Sequence, residues 1–295
     1  MILTLLYSKV DEHKWESMRD NEIWNLEQKE SDILPALSLS YNQLPFHLKQ
    51  YFAYCSLFPK DYEFKSVELI EFWMAHGILQ LHENQELEDV GNLYIKELWS
   101  RSFFQDVDMR NFLYYTFKMH DLVHDLALSI AQGECSIVTK KSTIGGKVHH
   151  FSFAHRDQEI TTHLVKLSGV WTIIFQRETL MSLLETCISR FKYLRVLDLS
   201  CSSMEVLSSS IGILRHLRYL NLSNNSQLKK LPNSICKLHN LQTLLLVNCE
   251  SLAQLPKDIS NMISLRFLVE TTTNRSLLEN GVGCLNSLQT LVIDL

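Results

Sequence analysis

Leu194-Arg195-Val196-Leu197-Asp198-Leu199 is the first clear copy of a six-residue pattern, Leu-x-x-Leu-x-Leu, that recurs through the second half of the chain. Further copies begin at Leu217, Leu241 and Leu288, and a weaker copy begins at Leu265. Successive copies are 23, 24, 24 and 23 residues apart. A fixed period of about 20–29 residues predicts a solenoid in which each turn contributes one short strand.

This pattern is that of a leucine-rich repeat, and it predicts which side chains face inward. The leucines point to the core, and the residues between them lie on the concave face because strand side chains alternate. Aromatic and aliphatic side chains at such positions are typical of protein-binding hot spots. The candidate interaction residues are Tyr219, Leu245, Val247 and Phe267. The alternative is that Leu245 and Val247 only pack on their neighbours.

Other positions of the repeat agree with the pattern or depart from it. Asn225 and Cys249 follow the third leucine by three residues, where a polar side chain is expected to bond the backbone at the exit of the strand. Ser208 stands where later repeats have proline. Glu270 takes the third-leucine position of the fourth repeat, which we therefore expect to be the loosest.

The ends of the repeat array are less regular. Residues 148–153 and 171–175 have strand composition at about the repeat spacing, so we interpret them as degenerate first repeats. Solenoids need polar caps. No cap follows the last repeat before Leu295, so we expect the C-terminal cap to be absent.

The first half of the chain predicts helices. The first are an amphipathic helix over 12–25, a helix opened by Pro45, and a helix over 67–76 that is capped by Ser66 and ended by Gly77. Helices over about 86–102 and 120–132 follow, with a β-prone stretch over 112–118 between them. Such an order suggests a winged-helix module, a fold that often binds DNA. The helix over 67–76 has two carboxylates and no Lys or Arg, so phosphates would repel it and we expect no nucleic-acid partner.

Composition and charge support a two-domain globular protein. The chain has 295 residues, 46% of them hydrophobic, and only 9 glycines for phosphate-binding loops. Residues 1–133 carry 11 basic and 21 acidic side chains, a net charge of −10, whereas residues 134–295 carry 17 and 12, a net charge of +5. No run of five basic residues occurs. The opposite signs favour attraction between the two parts, although scattered solvated charge is an alternative.

Cysteine usage and hydropathy indicate the compartment. The seven cysteines are widely spaced without a Cys-x-x-Cys pair, which favours a reducing environment over zinc or disulfides. Residues 1–7 are too short an apolar stretch for a signal peptide, and no apolar run is long enough to span a bilayer. We expect a cytoplasmic protein without stable membrane insertion.

The helix over 120–132 raises the question of a metal site. Leu122, Val123 and Leu126 share one face, whereas His120 and His124 share the opposite face with aspartates. Two histidines at i and i+4 could bind one metal ion, which leaves a His/Asp metallohydrolase as a remote alternative. No third ligand is evident in the sequence. We prefer a solvated polar face and assign no metal.

Four blocks of sequence carry a family resemblance. The blocks are Tyr51-Phe52-Ala53-Tyr54-Cys55-Ser56-Leu57-Phe58-Pro59-Lys60-Asp61, Leu69-Ile70-x-Phe72-Trp73-Met74-Ala75, Ser100-Arg101-Ser102-Phe103-Phe104 and Met119-His120-Asp121-Leu122-Val123-His124-Asp125-Leu126-Ala127, with the repeats directly after them. With these blocks in this order, the chain closely resembles the plant coiled-coil-type nucleotide-binding leucine-rich-repeat (NB-ARC LRR) disease resistance proteins.

The resemblance implies an architecture and a function. It makes residues 1–35 the tail of the first helical (ARC1-like) subdomain, 36–133 a winged-helix (ARC2-like) subdomain and 140–295 the leucine-rich-repeat domain. The implied fold class is multidomain α plus α/β, a helical regulatory module followed by a solenoid. The implied function is the sensing half of an ADP/ATP switch in plant defense. Its partners would be a pathogen effector, a guarded host protein or other receptor subunits.

The resemblance also implies site residues. Met119, His120 and Asp121 match the Met-His-Asp motif, which in that family closes over bound ADP and holds the receptor inactive. A histidine at a helix N-terminus would add a donor where the backbone already favours an anion. Asp121 cannot attract phosphate, and we expect it to orient its neighbours.

The departures from the family limit the chemistry. The sequence contains no Gly-x-x-x-x-Gly-Lys followed by Ser or Thr and no Mg²⁺-binding Walker B strand. We therefore predict no enzyme activity and weak or no binding of ADP by this chain alone. We expect the acidic winged-helix part to dock on basic early repeats at Lys140, Lys141, Lys147 and Arg156. A free-standing repeat scaffold that binds other proteins is the alternative function.

Overall fold

The computed structural model describes residues 33–79, 85–110, 114–131, 133–138, 148–153, 164, 167, 169–176, 181–270, 283 and 285–293. It divides the chain into two units, Met1–Gln132 and Gly133–Leu295. The predicted helix over 12–25 lies outside the described residues. Within the described part, no helix combines the length and the apolar character that crossing a bilayer requires.

The first unit is mainly helical. Its elements are α1 (Ile33–Asn42), α2 (Phe46–Tyr54), a 3-10 turn (Cys55–Leu57), β1 (Phe64–Lys65), α3 (Ser66–His76), α4 (Leu87–Ser100), β2 (Gln105–Asp108), β3 (Thr116–Lys118) and α5 (Asp121–Ile130). The three strands form an antiparallel sheet in the order β1-β3-β2, with Phe64 opposite Phe117. Helices followed by a small antiparallel sheet confirm the predicted winged-helix fold.

Aromatic side chains fill the core of this unit. Tyr51 and Trp73 lie 4.7 Å apart between ring centroids, and both are fully buried. Phe104 and Phe117 approach to 4.5 Å beneath the sheet. Tilted aromatic contacts of this kind stabilise a small core beyond their buried area.

The two ends of α3 form differently from one another. Gly77 adopts the left-handed conformation, with φ of 69°, and ends the helix as predicted. Ser66 was predicted to cap the start of α3, and this is wrong. The N-cap residue is Lys65, whose side chain forms no capping hydrogen bond. The Ser66 hydroxyl instead accepts a bond from the Tyr115 N–H at 3.2 Å. The beginning of α3 is therefore tied to the chain that enters β3.

The second unit contains one parallel sheet of eight strands in chain order. The strands are β4 (Cys135–Val138), β5 (His150–Phe153), β6 (Thr172–Phe175), β7 (Val196–Asp198), β8 (Tyr219–Asn221), β9 (Thr243–Leu246), β10 (Phe267–Glu270) and β11 (Thr290–Ile293), and helix α6 (Met181–Arg190) lies between β6 and β7. The sheet confirms the predicted solenoid, and β5 and β6 confirm the degenerate first repeats as strands. Strand β4 was not predicted, and it places the start of the sheet before residue 140.

The repeat leucines form the core of this sheet. Leu197, Leu220, Leu244 and Leu268 lie in register across neighbouring strands and are fully buried. The return segments are 3-10 turns at Ser209–Ile213, Asn233–Lys237 and Ile259–Asn261. Ser208 replaces the proline of the later repeats by accepting the Ser210 N–H with its hydroxyl at 3.2 Å.

The polar positions of the repeat bond the backbone as predicted. Asn225 donates to the carbonyls of Leu199 and Leu222 at 2.9 and 2.7 Å and accepts from the Met204 N–H at 3.2 Å. Cys249 donates from Sγ to the Leu222 carbonyl at 3.2 Å. Each bond to the preceding repeat fixes the distance between successive turns.

Glu270 ends strand β10 in a buried position. Strand β10 pairs with both β9 and β11 through this residue, so the departure from leucine does not interrupt the sheet. The expectation that this repeat is the loosest stays a prediction, since residues 271–282 lie outside the described part.

Candidate functional site

The Met-His-Asp triplet lies where strand β3 passes into helix α5. Met119 is buried, whereas His120 and Asp121 are exposed. Met119 is followed by a helix whose Val123, Leu126 and Ala127 are also buried in the core. The triplet therefore has one anchor in the core and two polar side chains at the surface.

His120 is the N-cap of α5. Its Nδ1 accepts a hydrogen bond from the Leu122 N–H at 3.2 Å, as a capping side chain does. In the neutral ring the proton must then reside on Nε2. The predicted donor at the helix N-terminus is thus Nε2–H, which this cap leaves available to an anion near the first turn.

Asp121 lies in the first turn of α5, where its charge complements the helix dipole. Lys60, on the turn after the Tyr-Phe-Ala block, forms an ion pair with Asp125 at 2.8 Å. The hydrogen bond to Asp125 raises the pKa of Lys60, and the nearby Asp121 adds to that effect. Both partners of the pair are exposed, so the pair contributes little to stability.

His124 does not lie on a solvated face as predicted, because it is buried. Its Nε2 donates to the Phe58 carbonyl at 2.7 Å, although the two residues are 66 apart in sequence. The pairing depends on how the Phe58-Pro59 turn packs against α5, and helix periodicity alone could not reveal it. The turn therefore supports α5, a role that its local sequence does not indicate.

The histidine pair is not arranged as a metal site. His120 is exposed at the helix start, whereas His124 is buried, so the two rings do not share one surface of α5. Across the described ranges, no three His, Cys, Asp or Glu side chains come together as metal ligands would. The pair His120 and His124, on which the metallohydrolase alternative was based, is therefore not placed to bind one metal ion.

Helix α3 contains the stretch over 67–76 that was considered above as a base-reading helix. Its residues from Leu69 to His76 are buried. A helix enclosed over this length cannot insert its side chains into a DNA groove. Burial therefore excludes base reading by α3, and the absence of a nucleic-acid partner stays a prediction.

The four predicted interaction residues follow the concave side of the sheet. Tyr219, Leu245 and Phe267 alternate with the core leucines along their strands. Each of the three exposes only 4% of its surface, and Val247 is half-buried. Contact with a partner through Tyr219 or Phe267 stays a prediction, and the scaffold alternative gains no support from this burial.

The predicted docking residues Lys140, Lys141, Lys147 and Arg156 lie outside the described residues. Their role stays a prediction.

Six cysteines fall within the described part, and all six are free thiols.

Each of the two units contains a segment that matches a known family. Residues 57–127 match the family described as the disease resistance protein winged helix domain, and residues 172–294 match the leucine-rich repeat region. The first match contains the Met-His-Asp triplet and the Phe58-Pro59 turn. The second contains strands β6 to β11.

Relatives extend the similarity over most of the chain. Disease resistance protein RGA2 of Solanum bulbocastanum is 45% identical over 212 residues, which are 72% of this chain and 20% of RGA2. RGA1 of the same species is 44% identical over 225 residues, 76% of this chain and 21% of RGA1. The chain spans about a fifth of the length of these relatives.

A more distant relative and a solved structure were also found. Disease resistance protein At3g14460 of Arabidopsis thaliana is 36% identical over 245 residues, 78% of this chain and 17% of that protein. The leucine-rich-repeat protein LIC12759 of Leptospira interrogans aligns with 41% of this chain and 30% of its own at 26% identity, with a TM-score of 0.34. That score is too low to bear on the fold.

Proposed function

Because the chain joins the winged-helix domain of plant disease resistance proteins to a leucine-rich-repeat region, we propose that it is the sensing and regulatory part of an intracellular plant immune receptor. The repeats recognise a pathogen effector or a guarded host protein. The winged-helix unit carries the element that reads the state of a bound nucleotide. The protein acts in the cytoplasm as a receptor and not as an enzyme.

The observation that carries the proposal is the geometry of His120. The side chain caps α5 through Nδ1, so its Nε2–H lies beside the positive end of a ten-residue helix. Backbone amides, a donor and a helix dipole together favour a phosphate group. The buried Met119 holds this arrangement in place. In the family, this motif closes over ADP in the inactive receptor.

Two substitutions at His120 separate nucleotide sensing from helix capping. Asn is a good N-cap because its side-chain oxygen can accept the N–H that Nδ1 accepts here, so His120→Asn keeps the cap and removes Nε2–H. His120→Ala removes both. We expect both changes, made at the matching residue of a full-length relative, to release the off state and give an immune response without a pathogen.

The cap itself gives the control for this experiment. In the present chain, His120→Ala is expected to lower the free energy of unfolding by about 1 kcal/mol, whereas His120→Asn should leave it nearly unchanged. Autoinhibition that survives His120→Asn in the relative would mean that the histidine only caps the helix, and the proposal would then be wrong.

The missing phosphate loop sets the expected nucleotide affinity. The 295 residues contain no Walker A sequence, so ADP should bind this chain weakly or not at all, and ATP should not be hydrolysed. Isothermal titration with ADP measures this directly. Micromolar affinity would show that the chain holds a nucleotide without the loop that grips its phosphates.

Attraction between the acidic and basic parts would hold the receptor closed. The carrying observation is the net charge of −10 on residues 1–133 against +5 on residues 134–295. Separately produced fragments 1–132 and 133–295, cut so that strand β4 stays in its sheet, should associate at low ionic strength and separate as salt rises. Failure to associate at low salt would exclude this mechanism.

A further inference from the structure

A line of six residues, which we call the pre-strand row, crosses the repeat sheet just ahead of strands β6 to β11. Each member after the first donates its N–H to the carbonyl of the member before it at 2.8 Å. Neighbouring strands are about 4.8 Å apart, so the row is a continuous ladder with that spacing. Its members are Trp171, Arg195, Arg218, Gln242, Arg266 and Gln289.

The side chains of this row contact one another. The Arg195 guanidinium lies 5.0 Å from the centre of the Trp171 ring, and Trp171 stacks on His149 at 4.5 Å and 11°. Arg266 donates from Nε to Oε1 of Gln289 at 2.8 Å. Contacts between row members show that these side chains share one side of the sheet. Stacked and bonded arginines also lose less freedom when they bind a ligand.

Positive charge is concentrated along the row. Three of its six residues are arginines, and none is acidic. Burial and the neighbouring Arg195 charge lower the pKa of Arg218. Burial lowers the pKa of His150 to about 3, and the charges of His149 and Arg195 add to that shift. Cations that are this close to one another favour an anionic ligand between them.

We propose that the pre-strand row binds an acidic peptide segment that lies extended across the strands. This inference deepens the proposed recognition role of the repeats and rests on it, because it names the chemical class of the partner. Guanidinium groups bind carboxylates in a bidentate manner.

The spacing of the row defines the peptide. Arg195 and Arg218 are adjacent and can share one carboxylate, whereas Arg266 lies two strands beyond Arg218. The distance from the midpoint of the pair to Arg266 is about 12 Å at ~4.8 Å per strand, which an extended chain covers in three or four residues. Two acidic residues three or four positions apart therefore fit the row, with an apolar residue at Trp171.

A peptide fits this surface better than a nucleic acid does. A polynucleotide carries a charge on every unit, whereas the row interrupts its cations with neutral glutamines.

Fluorescence anisotropy with the full chain tests the proposal. The probe is a labelled peptide of six Glu-Ser repeats, which in extended form places carboxylates about 6.7 Å apart on one face. The Gln-Ser peptide of equal length is the uncharged control, and a twelve-residue oligothymidylate is the nucleic-acid arm. We expect the Glu-Ser peptide to bind, the Gln-Ser peptide not to bind, and salt to weaken binding.

Variants locate the binding surface. Arg195→Gln, Arg218→Gln and Arg266→Gln should each weaken the Glu-Ser complex at least about fivefold, the size of a lost charge-assisted bond of about 1 kcal/mol. Lys257→Gln changes the net charge equally at an exposed turn outside the row and should have no effect. Circular dichroism melting identifies any arginine variant that is misfolded. The binding measured with the remaining folded variants then decides whether the row is the binding surface.

Several results would overturn the proposal. These are no binding of the Glu-Ser peptide, equal binding of the Gln-Ser peptide, binding that survives all three arginine substitutions, and tighter binding of oligothymidylate that the same substitutions abolish. None of these results would bear on the immune role, which the His120 substitutions test separately.

Discussion

Glu71 is a carboxylic acid buried in the winged-helix unit. The side chain exposes 2% of its surface, and within the part of the chain that the structure describes neither carboxyl oxygen has a hydrogen-bond partner. Burial raises its pKa well above the ordinary range, and the negative charges of Glu68 and Glu88 add to the effect. The folded state therefore favours the protonated form, and ionisation of Glu71 opposes folding.

Glu71→Gln should stabilise the protein at neutral pH by about 1–2 kcal/mol, because the amide has the same shape and cannot ionise. A raised pKa contributes stability that is complete below the unfolded value of about 4.3 and is lost as pH rises toward the folded value. The advantage of the variant should therefore shrink toward zero at pH 4. Urea unfolding at pH 4 and pH 7.5 measures it.

Glu63 gives the control for this prediction, since it is exposed on the same unit. Glu63→Gln removes the same charge and should change stability by less than about 0.5 kcal/mol. If Glu71→Gln were no more stabilising than Glu63→Gln at pH 7.5, the buried carboxyl would have a partner among the remaining residues of the chain.

Asn225 connects two repeats through one amide. It is fully buried, and its side chain bonds backbone groups of Leu199, Leu222 and Met204. Asn225→Ala should lower the free energy of unfolding by about 2–4 kcal/mol, because these groups lose their partner without gaining water. Chemical denaturation followed by circular dichroism measures the loss.

A conservative variant sharpens this test. Cys249 occupies the equivalent position in the next repeat and reaches the Leu222 carbonyl from Sγ. Asn225→Cys should therefore cost less than Asn225→Ala, and Asn233→Ala, at an exposed site, should cost almost nothing. Equal losses for the Cys and Ala variants would show that packing volume, and not the hydrogen bond, matters at this position.

At the scale of elements, successive return turns approach one another closely at Gly212. A Cβ added there would lie 2.7 Å from the Ser234 carbonyl oxygen and 2.8 Å from its Cβ. The turns are also joined by the Ser234 hydroxyl, which donates to the Ser209 carbonyl at 2.7 Å. A side chain at Gly212 would have to push the backbone of one turn away from the next.

Gly212→Ala should destabilise the repeat unit by about 1–3 kcal/mol through this overlap, even though alanine ordinarily restricts the unfolded chain favourably. Gly283 is the matched control because a Cβ there meets nothing within 4 Å. Thermal unfolding of the two variants compares them. A Gly212→Ala protein as stable as Gly283→Ala would mean that the turns separate easily.

Elements with a strong period could be predicted from sequence, and those held by distant partners could not. The leucines from Leu194 onward predict the strands. Each leucine is buried within its own turn of the solenoid, so the reason for its spacing is local in the sequence. Strand β4 carries no leucine and exists only because its backbone pairs with β5, from Cys135 opposite His150 to Val138 opposite Phe153. Ser66 has the composition of a cap but bonds Tyr115 instead.

The candidate site shows the same division. The triplet Met119-His120-Asp121 could be named from its resemblance, and the cap at His120 follows from its position at a helix start. The contact of His124 with Phe58 spans 66 residues, so no local pattern predicts it. The pre-strand row became visible only when the strands were in register, since its members are 23 or 24 residues apart in sequence.

At the scale of the whole molecule, the chain consists of two units, each with its own hydrophobic core. Glu71 belongs to the first unit and Asn225 to the second. Substitutions that share no partners have additive effects. Two units with separate cores can also unfold in separate transitions.

Scanning calorimetry should therefore resolve the effects of the two substitutions. Glu71→Gln is expected to move only the transition of the winged-helix unit, by a few degrees upward, and Asn225→Ala only that of the repeat unit, by a few degrees downward. The double variant should show both shifts unchanged. One transition that moves with either substitution would show that the units unfold together.

The bonds from Asn225 and Cys249 to the preceding turn have an evolutionary consequence. Each of these repeats carries the side chain that bonds it to the repeat before it. A duplicated segment of 23 or 24 residues therefore contains its own hydrogen bond to its neighbour. Unequal crossing-over within the gene can thus lengthen or shorten the array without disturbing the rest of the fold.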